Sequence, residues 1–401
     1  MLIPQTRQEK FSQIFPNEPK FRWTQIEQAL FLEKNHNWPN ATSLPLAMRE
    51  KLTAEIPWLS LKRVDESSEP DGSVRKVLLE TEDGNRIESV LMQSKSGKFS
   101  VCVSTQVGCA MGCAFCSTGK LGLKRHLSAD EITDQLRYWQ LSQNPVSIPG
   151  RDGSTLQNKN LPPLHHSPLR EGFEGQTTTL PPSLGFGGTP PKASVGGASL
   201  HHSNIITNIV LMGMGEPMNN YENVRSSLNS ILKNTGISPT HITVSSAGVL
   251  PRLNQLIEDK EWPPVCIAIS LHSADPIKRK ELMPSSGPNF LPELTEWAKK
   301  YLAELGNRSH YITFEYIMLD GINDSDEDAR KLAAFTKPLG RAKINLIAYN
   351  IAAGGFAPSS PQRIMEFMSI ILKAGVDVTR RQSLGGSIDA ACGQLAAKNP
   401  T

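Results

Sequence analysis

Hydrophobic and polar positions follow two rhythms along the chain. Between residues 20 and 60, Phe21, Ile26, Ala29, Leu30 and Leu32 recur at helical spacing, and Leu44 to Ala54 make a second short helical stretch. These predict a small helical domain over residues 1–65. Residues 74–106 alternate instead, through Val74-Lys76-Leu78, Ile87-Ser89-Leu91 and Phe99-Val101-Val103. That period predicts strands, with Asp83-Gly84 as a hairpin turn and residues 66–98 as a connecting β-hairpin region. From residue 99 the two rhythms interleave. Strands are predicted at Phe99–Ser104, Asn208–Met212, Ile242–Ser246, Val265–Leu271, Tyr311–Met318, Ala342–Ala348 and Val376–Arg380. Helices are predicted at Ser128–Gln143, Tyr221–Asn234, Pro251–Glu258, Pro276–Glu281, Pro292–Leu305, Ser325–Lys337 and Pro361–Ala374. Repeated strand–helix units imply parallel strands joined by right-handed crossovers. The fold class is therefore α/β, a partial (β/α)6-type barrel over 99–398, with its chemistry at the C-terminal strand ends.

One segment keeps neither rhythm. Residues 149–198 hold eight prolines and nine glycines, whereas the other 351 residues hold 42 of the chain's 59. Such a stretch cannot bury enough apolar surface to offset its ordering entropy. Residues 149–203 are expected to be a disordered, low-complexity insert within the barrel, and the bland reading is a tolerated surface loop. Its paired histidines, His165-His166 and His201-His202, lack acidic or cysteine partners for a metal.

The strongest chemical signal is Cys109-Ala-Met-Gly-Cys113-Ala-Phe-Cys116, immediately after the first barrel strand. Three thiolates on a short glycine-containing loop can wrap one soft metal centre. A closed zinc site wants a fourth ligand, and none lies nearby at zinc-like spacing. Three cysteines can instead hold three irons of a cubane cluster whose usual ligand set is four, leaving one iron open. A zinc site or a chance triplet is the competing reading.

Composition narrows the setting. The chain of 401 residues is 38% hydrophobic, too apolar for disorder throughout, and no run approaches a membrane span. The N-terminus, MLIPQTRQEKF, has no apolar core of a secretory signal. A cytoplasmic location is expected, with no membrane partner, and six cysteines then point to ligation or catalysis rather than structural disulfides. Net charge is +3, from 42 basic and 39 acidic residues. That neither requires nor excludes a nucleic-acid partner, because structured RNA can be held by a local patch, shape and stacking.

The triplet at the end of a first barrel strand, with Phe115 before its last cysteine, resembles the radical S-adenosylmethionine (SAM) superfamily. A closer resemblance, to the RlmN family of adenine-C2 RNA methyltransferases, spans about residues 20–398 outside the insert. Its motifs are Cys102-Val-Ser-Thr-Gln-Val-Gly-Cys109, Met212-Gly-Met-Gly-Glu216-Pro217, Ser270-Leu271-His272, Glu315-Tyr-Ile-Met-Leu-Asp-Gly, Ile344-Asn-Leu-Ile and Ala390-Ala-Cys392-Gly-Gln-Leu395. This resemblance implies one [4Fe–4S] cluster on Cys109, Cys113 and Cys116, and two SAM molecules per turnover. It implies that Cys392 accepts a methyl group and that a 5′-deoxyadenosyl radical then removes a hydrogen from that methyl. The resulting methylene radical adds to C2 of adenosine in 23S ribosomal RNA or transfer RNA. Glu88 is implied as proton acceptor, and Cys102 as the thiol that forms a disulfide with Cys392. SAM contacts are implied at Gly215, Glu216, Ser245, Ser270, Leu271, His272 and Asn350. The implied partners are the two RNAs and an electron donor such as flavodoxin or ferredoxin, and the implied state is a monomer.

Without the resemblance these residues have plainer readings. Cys102 on a strand is as readily core as functional, Glu88 suits a solvated strand face, and lone serines and asparagines at strand ends are usually caps. Cys266, in Val-Cys-Ile-Ala-Ile, reads as core packing. Lys120, Lys124, Arg125, His126, Arg380 and Arg381 read equally as phosphate contacts and as solvated charge. Ser387 stands where the family often has an acidic residue, Leu384 where it is often polar, and His126 where asparagine is common. The chain ends nine residues after Cys392, shorter than many relatives. Two alternatives stay open: a C8-specific, Cfr-type adenosine methyltransferase, and a non-catalytic metal-containing RNA-binding or ribosome-assembly factor.

Overall fold

The computed structural model describes residues 4–32, 34–143, 148–149, 155–156, 206–304, 311–352 and 355–396. The chain divides into two units, residues 1–144 with 204–401, and residues 145–203. The first unit opens with helices α1 (Arg7–Ile14), α2 (Lys20–Phe31) and α3 (Leu46–Glu55). Strands β1 (Leu61–Ser68), β2 (Val74–Thr81), β3 (Arg86–Gln93), β4 (Phe99–Cys102) and β5 (Gln106–Cys109) follow, then helix α4 (Ser117–Lys120), strand β6 (Gly122–His126) and helix α5 (Ala129–Gln143). In the second unit only β7 (Ile148–Pro149) and β8 (Thr155–Leu156) are described, paired antiparallel. The remainder of the expected insert, its histidine pairs included, lies outside the described residues. The first unit resumes with β9 (Ile206–Leu211), α6 (Tyr221–Asn234), β10 (Ile242–Ser246), α7 (Leu250–Glu258), β11 (Cys266–Ser270), α8 (Pro276–Leu282) and α9 (Phe290–Glu304). It closes with β12 (Ile312–Met318), α10 (Asp326–Thr336), β13 (Ala342–Ala348), α11 (Pro361–Lys373) and β14 (Asp377–Arg381).

Ten strands form one sheet in the order β1-β2-β3-β4-β9-β10-β11-β12-β13-β14. From β4 to β14 every neighbour is parallel, so six strand–helix units and a seventh strand make an open, partial barrel. Burial accounts for the sequence pattern. All seven residues of β12 are buried, as a central parallel strand covered on both faces requires. Helix α6 buries only one stripe, Tyr221, Val224, Ser227, Leu228 and Ile231. Helix α10 starts at a capping box in which Ser325 and Asp328 exchange hydrogen bonds with each other's backbone.

The structure differs from the sequence pattern at two places. Strand β1 has mostly polar residues and so shows no apolar period, yet it pairs antiparallel with β2 as the sheet edge. It crosses residue 65, and β1–β3 continue the barrel sheet rather than link two bodies. The second place is the β5–β6 ribbon, a separate two-stranded sheet. Cys109 is therefore the last residue of a short strand, not the first of a loop.

The N-terminal helices have their own core around Ile26, Leu30, Trp38, Leu52 and Ile56. Buried charge ties them to α5. The Asp134 carboxylate accepts from both the Arg7 and Arg137 guanidiniums and from the Ser60 amide at 2.6 Å. Burial by itself would raise the pKa of Asp134, but the two guanidiniums outweigh it and hold the carboxyl below its ordinary range. Arg137 also donates to the Leu30 carbonyl at 3.0 Å and the Trp58 carbonyl at 2.9 Å. Removing one partner of such a cluster leaves buried charge uncompensated. Asp134→Ala is expected to lower unfolding stability by about 3–5 kcal/mol. Glu296→Ala, which breaks an exposed pair with Lys299, should cost at most about 1 kcal/mol. Urea unfolding of both variants checks the contrast.

Candidate active site

The C-terminal strand ends open into one cleft of about 880 Å³, solvent at its mouth included. Cys109, Cys113 and Cys116 line one wall, and Cys392 and Gly393 line it as well. Gly215, Glu216, Ser245, Ser270 and His272 come from the ends of successive strands. Of the SAM contacts implied by resemblance, Leu271 is fully buried beside them. Asn350 donates its side-chain amide to the Cys392 carbonyl at 3.3 Å.

Glu216 shows how these ends are joined. Its carboxylate accepts from the Ala247 amide at 2.7 Å and the Met218 amide at 3.0 Å, tying the segment after β9 to the one after β10. Burial raises its pKa, and the backbone donors oppose that rise. Its own amide donates to Gln106 Oε1 at 2.8 Å, and Gln106 Nε2 meets His126 Nδ1 at 2.9 Å. The family departure at His126 thus supports the Glu216 turn from behind. Gly215 has φ +101°, and a Cβ there would lie 2.5 Å from Gln106 Cβ. Only glycine fits this close approach.

His272 has a positive φ of 56°, uncommon without a glycine. Its Nδ1 accepts from the Ile317 amide at 3.1 Å, and Phe115 packs edge-on at 4.7 Å. Burial, reinforced by Arg279, lowers its pKa to about 3, so the ring is neutral near pH 7. Arg279, unmarked in the sequence pattern, is almost fully buried. It donates to the carbonyls of Ser270 (2.9 Å), Leu271 and Ala247 (2.8 Å), and so pins the ends of β10 and β11.

The Cys392 segment is seated on the cysteine triplet. The Ser117 amide, next to Cys116, donates to the Gly393 carbonyl at 2.8 Å. The Thr118 hydroxyl donates to the Leu395 carbonyl at 2.6 Å. Cys102 is buried at the end of β4, and its carbonyl accepts from Ser89 Oγ at 2.9 Å. Burial pushes the Cys102 thiol up to about 12; the adjacent Cys392 adds to the rise and Arg381 opposes it. All six cysteines are free thiols here, so the Cys102–Cys392 bond implied by resemblance is not formed in this structure.

Glu88 is not on a solvated face. It is buried, with Oε1 paired to Lys76 at 3.0 Å and Oε2 accepting from the Ala396 amide at 2.7 Å. Cys266 is half-buried in β11, its thiol 3.5 Å from the Thr240 carbonyl and away from the cleft wall. Of the six basic candidates, Arg125 is a buried ion-pair member rather than solvated charge, and Arg381 is half-buried. Arg125 pairs with Asp83 at 2.7 Å and Glu131 at 2.8 Å. Arg381 lines the cleft, 3.9 Å from Glu315, and its pKa is raised chiefly by Cys392. Ser387 donates to Glu69 Oε2 at 2.6 Å, and Leu384 is half-buried.

No protein-family model matches the chain. It is 35% identical over 389 residues to a probable dual-specificity RNA methyltransferase RlmN of Chlorobium phaeobacteroides, covering 95% of this chain and 90% of that one. It is 31% identical to a ribosomal RNA large subunit methyltransferase N of Nitrosopumilus maritimus, covering 94% and 92%. A solved radical SAM methyltransferase from Sphaerobacter thermophilus superposes with a TM-score of 0.76 at 31% identity, over 98% of both chains. The chain belongs to the RlmN family of radical SAM methyltransferases.

Membership in that family implies a [4Fe–4S] cluster and SAM. The donor chemistry fits. Burial pushes the Cys109 thiol up to about 12 and raises Cys113 as well, so the bare thiols resist ionisation. A bound metal centre reverses that by deprotonating its thiol ligands. Among the described residues, no three His, Cys, Asp or Glu side chains are grouped to hold a single metal ion as they stand. No described helix is long and apolar enough to cross a membrane.

Gly215→Ala is expected to destabilise the apoprotein by about 1–3 kcal/mol, through overpacking and strain at positive φ. Thermal melting against Gly236→Ala, where a Cβ meets nothing within 4 Å, checks that the loss is local to the cleft.

Proposed function

We propose that the chain methylates C2 of adenosine in 23S ribosomal RNA and transfer RNA, with Cys392 as methyl carrier. The observation that carries this reading is the seating of the Cys392 segment against the residues that follow Cys116, so that four thiols share one cleft. Cys109, Cys113 and Cys116 would hold the cluster, and the strand ends at Gly215, Glu216, Ser245, Ser270, Leu271 and His272 would receive SAM. When bound, these cofactors supply the methyl group and one-electron chemistry, which a protein side chain cannot do alone.

The remaining tasks belong to the chain. Cys392 must act as a thiolate, because only that form is a good nucleophile. Arg381 lines the same cleft, and its own pKa is raised chiefly by Cys392. The same cation opposes the rise in the Cys102 thiol, which must also ionise to attack the Cys392 sulfur. Once the base adduct has lost the C2 proton and one electron, the latter to a bound cluster, that attack bonds the two sulfurs and breaks the bond from the Cys392 sulfur to the methylene carbon. The base is released, and its new carbon takes a proton to become the methyl group; the disulfide then needs two electrons from an external donor such as flavodoxin or ferredoxin. Glu88 would accept the C2 proton. In the structure one of its oxygens holds the Ala396 amide, which leaves that oxygen a second lone pair. The target base must be unpaired or extruded to enter the cleft. The exposed Lys124 and Arg380 are candidates to meet its flanking phosphates.

Anaerobically reconstituted protein should methylate protein-free ribosomal RNA and transfer RNA, and mass spectrometry of the digested RNA should find 2-methyladenosine. Cys392→Ala should lower product by at least about a thousandfold, as loss of a covalent nucleophile does. Product at C8 would overturn the regiochemistry. Parental activity in Cys392→Ala would overturn the carrier role.

A further inference from the structure

Lys76 joins two parts of the site that its position in the chain does not suggest. Strands β2 and β3 are set in register by the Asp83-Gly84 turn, which places Lys76 opposite Val90 and Leu78 opposite Glu88. Lys76 and Glu88 are thus diagonal neighbours on one face of the sheet. Their side chains form an ion pair at 3.0 Å, with 16% and 5% of each side chain exposed. That places the pair largely out of solvent, where screening is weak.

Each partner also holds one end of the Cys392 segment. Lys76 Nζ donates to the Asp389 carbonyl at 3.2 Å, and Glu88 Oε2 accepts from the Ala396 amide at 2.7 Å. Asp389 is a non-glycine residue at φ +52°, a conformation that costs energy unless its surroundings impose it. The Lys76 ammonium, bound to the carbonyl of that residue, is one such constraint.

We propose that Lys76 is a positioning residue for Cys392: the Lys76–Glu88 ion pair is a clasp that holds the entry and exit of segment 389–396 together and keeps its thiol facing the cysteine triplet. The proposal rests on the reading of Cys392 as methyl carrier. While Glu88 holds the Ala396 amide the segment is seated, and Lys76 keeps the carboxylate in place.

Lys76→Met keeps the alkyl stem and removes the charge; Lys76→Arg restores it. In reconstituted protein under anaerobic conditions, the rate of iodoacetamide alkylation at Cys392, read by peptide mass spectrometry, should rise about tenfold in Lys76→Met. That is the effect of losing charge-assisted hydrogen bonds that restrain a local opening. Cys266, remote from the clasp, should react at the parental rate and so report an intact fold. Methylation of Cys392 by SAM should fall by a similar factor, and Lys76→Arg should recover both. Glu88→Gln, which removes the ion pair but keeps an acceptor for Ala396, is a second route should Lys76→Met fail to fold, and should also speed alkylation. Parental alkylation at Cys392 in the charge-removing variants overturns the clasp, as does faster alkylation with unchanged methylation. Because the thiol readout needs no RNA, that failure is separable from failure of the methyl-carrier reading, which inactivity or activity of Cys392→Ala decides.

Discussion

Two hydrogen bonds hold the site together: Ser117 amide to Gly393 carbonyl, and Thr118 hydroxyl to Leu395 carbonyl. They join segments 276 residues or more apart in sequence, the triplet loop after the first barrel strand and the segment after the last. Parallel sheets make this possible. Strands running the same way present all their C-terminal ends to one side, so β4 and β14, widely separated in the sheet order, send their following segments toward the same cleft. Without this docking, Cys392 would be one more thiol on a connecting segment, and the triplet would face only the strand ends at Gly215, Glu216, Ser245 and Ser270.

Around that junction the protein concentrates buried charge. Glu216 and Arg279 bond chiefly to backbone groups and fix strand ends, a structural use of charge, although Arg279 Nε is buried without a hydrogen-bond partner. Glu315 and Arg381 bond to side chains instead. Glu315 Oε2 is buried without a hydrogen-bond partner, 3.9 Å from Arg381.

Much of this was legible in the sequence, for identifiable reasons. The alternation of periods 2 and 3.6 is local, and each of the seven parallel strands and the helices between them appears where it predicts. The cysteine triplet is local too. What the sequence hides is pairing at long range. Lys76 looks like a solvated residue in an alternating strand, yet it bonds to a carbonyl 313 residues away. Arg125 and Arg381 look like surface cations beside functional loops, whereas their acidic partners sit on other elements. Arg279, in a helix with lysines on both sides, gives no sign of facing inward. Strand β1 has the composition of an exposed edge and the short β5–β6 ribbon is too brief for a period, so neither announces itself.

The proposed reaction depends on Cys392 carrying the methyl group to the base. Protein preloaded with SAM bearing a deuterated methyl, cleared of free SAM, and then given RNA, reductant and unlabelled SAM tests this in a single turnover. If Cys392 is the carrier, the first methylated adenosine retains label from the preloaded protein. Product whose methyl derives wholly from the unlabelled SAM would contradict it.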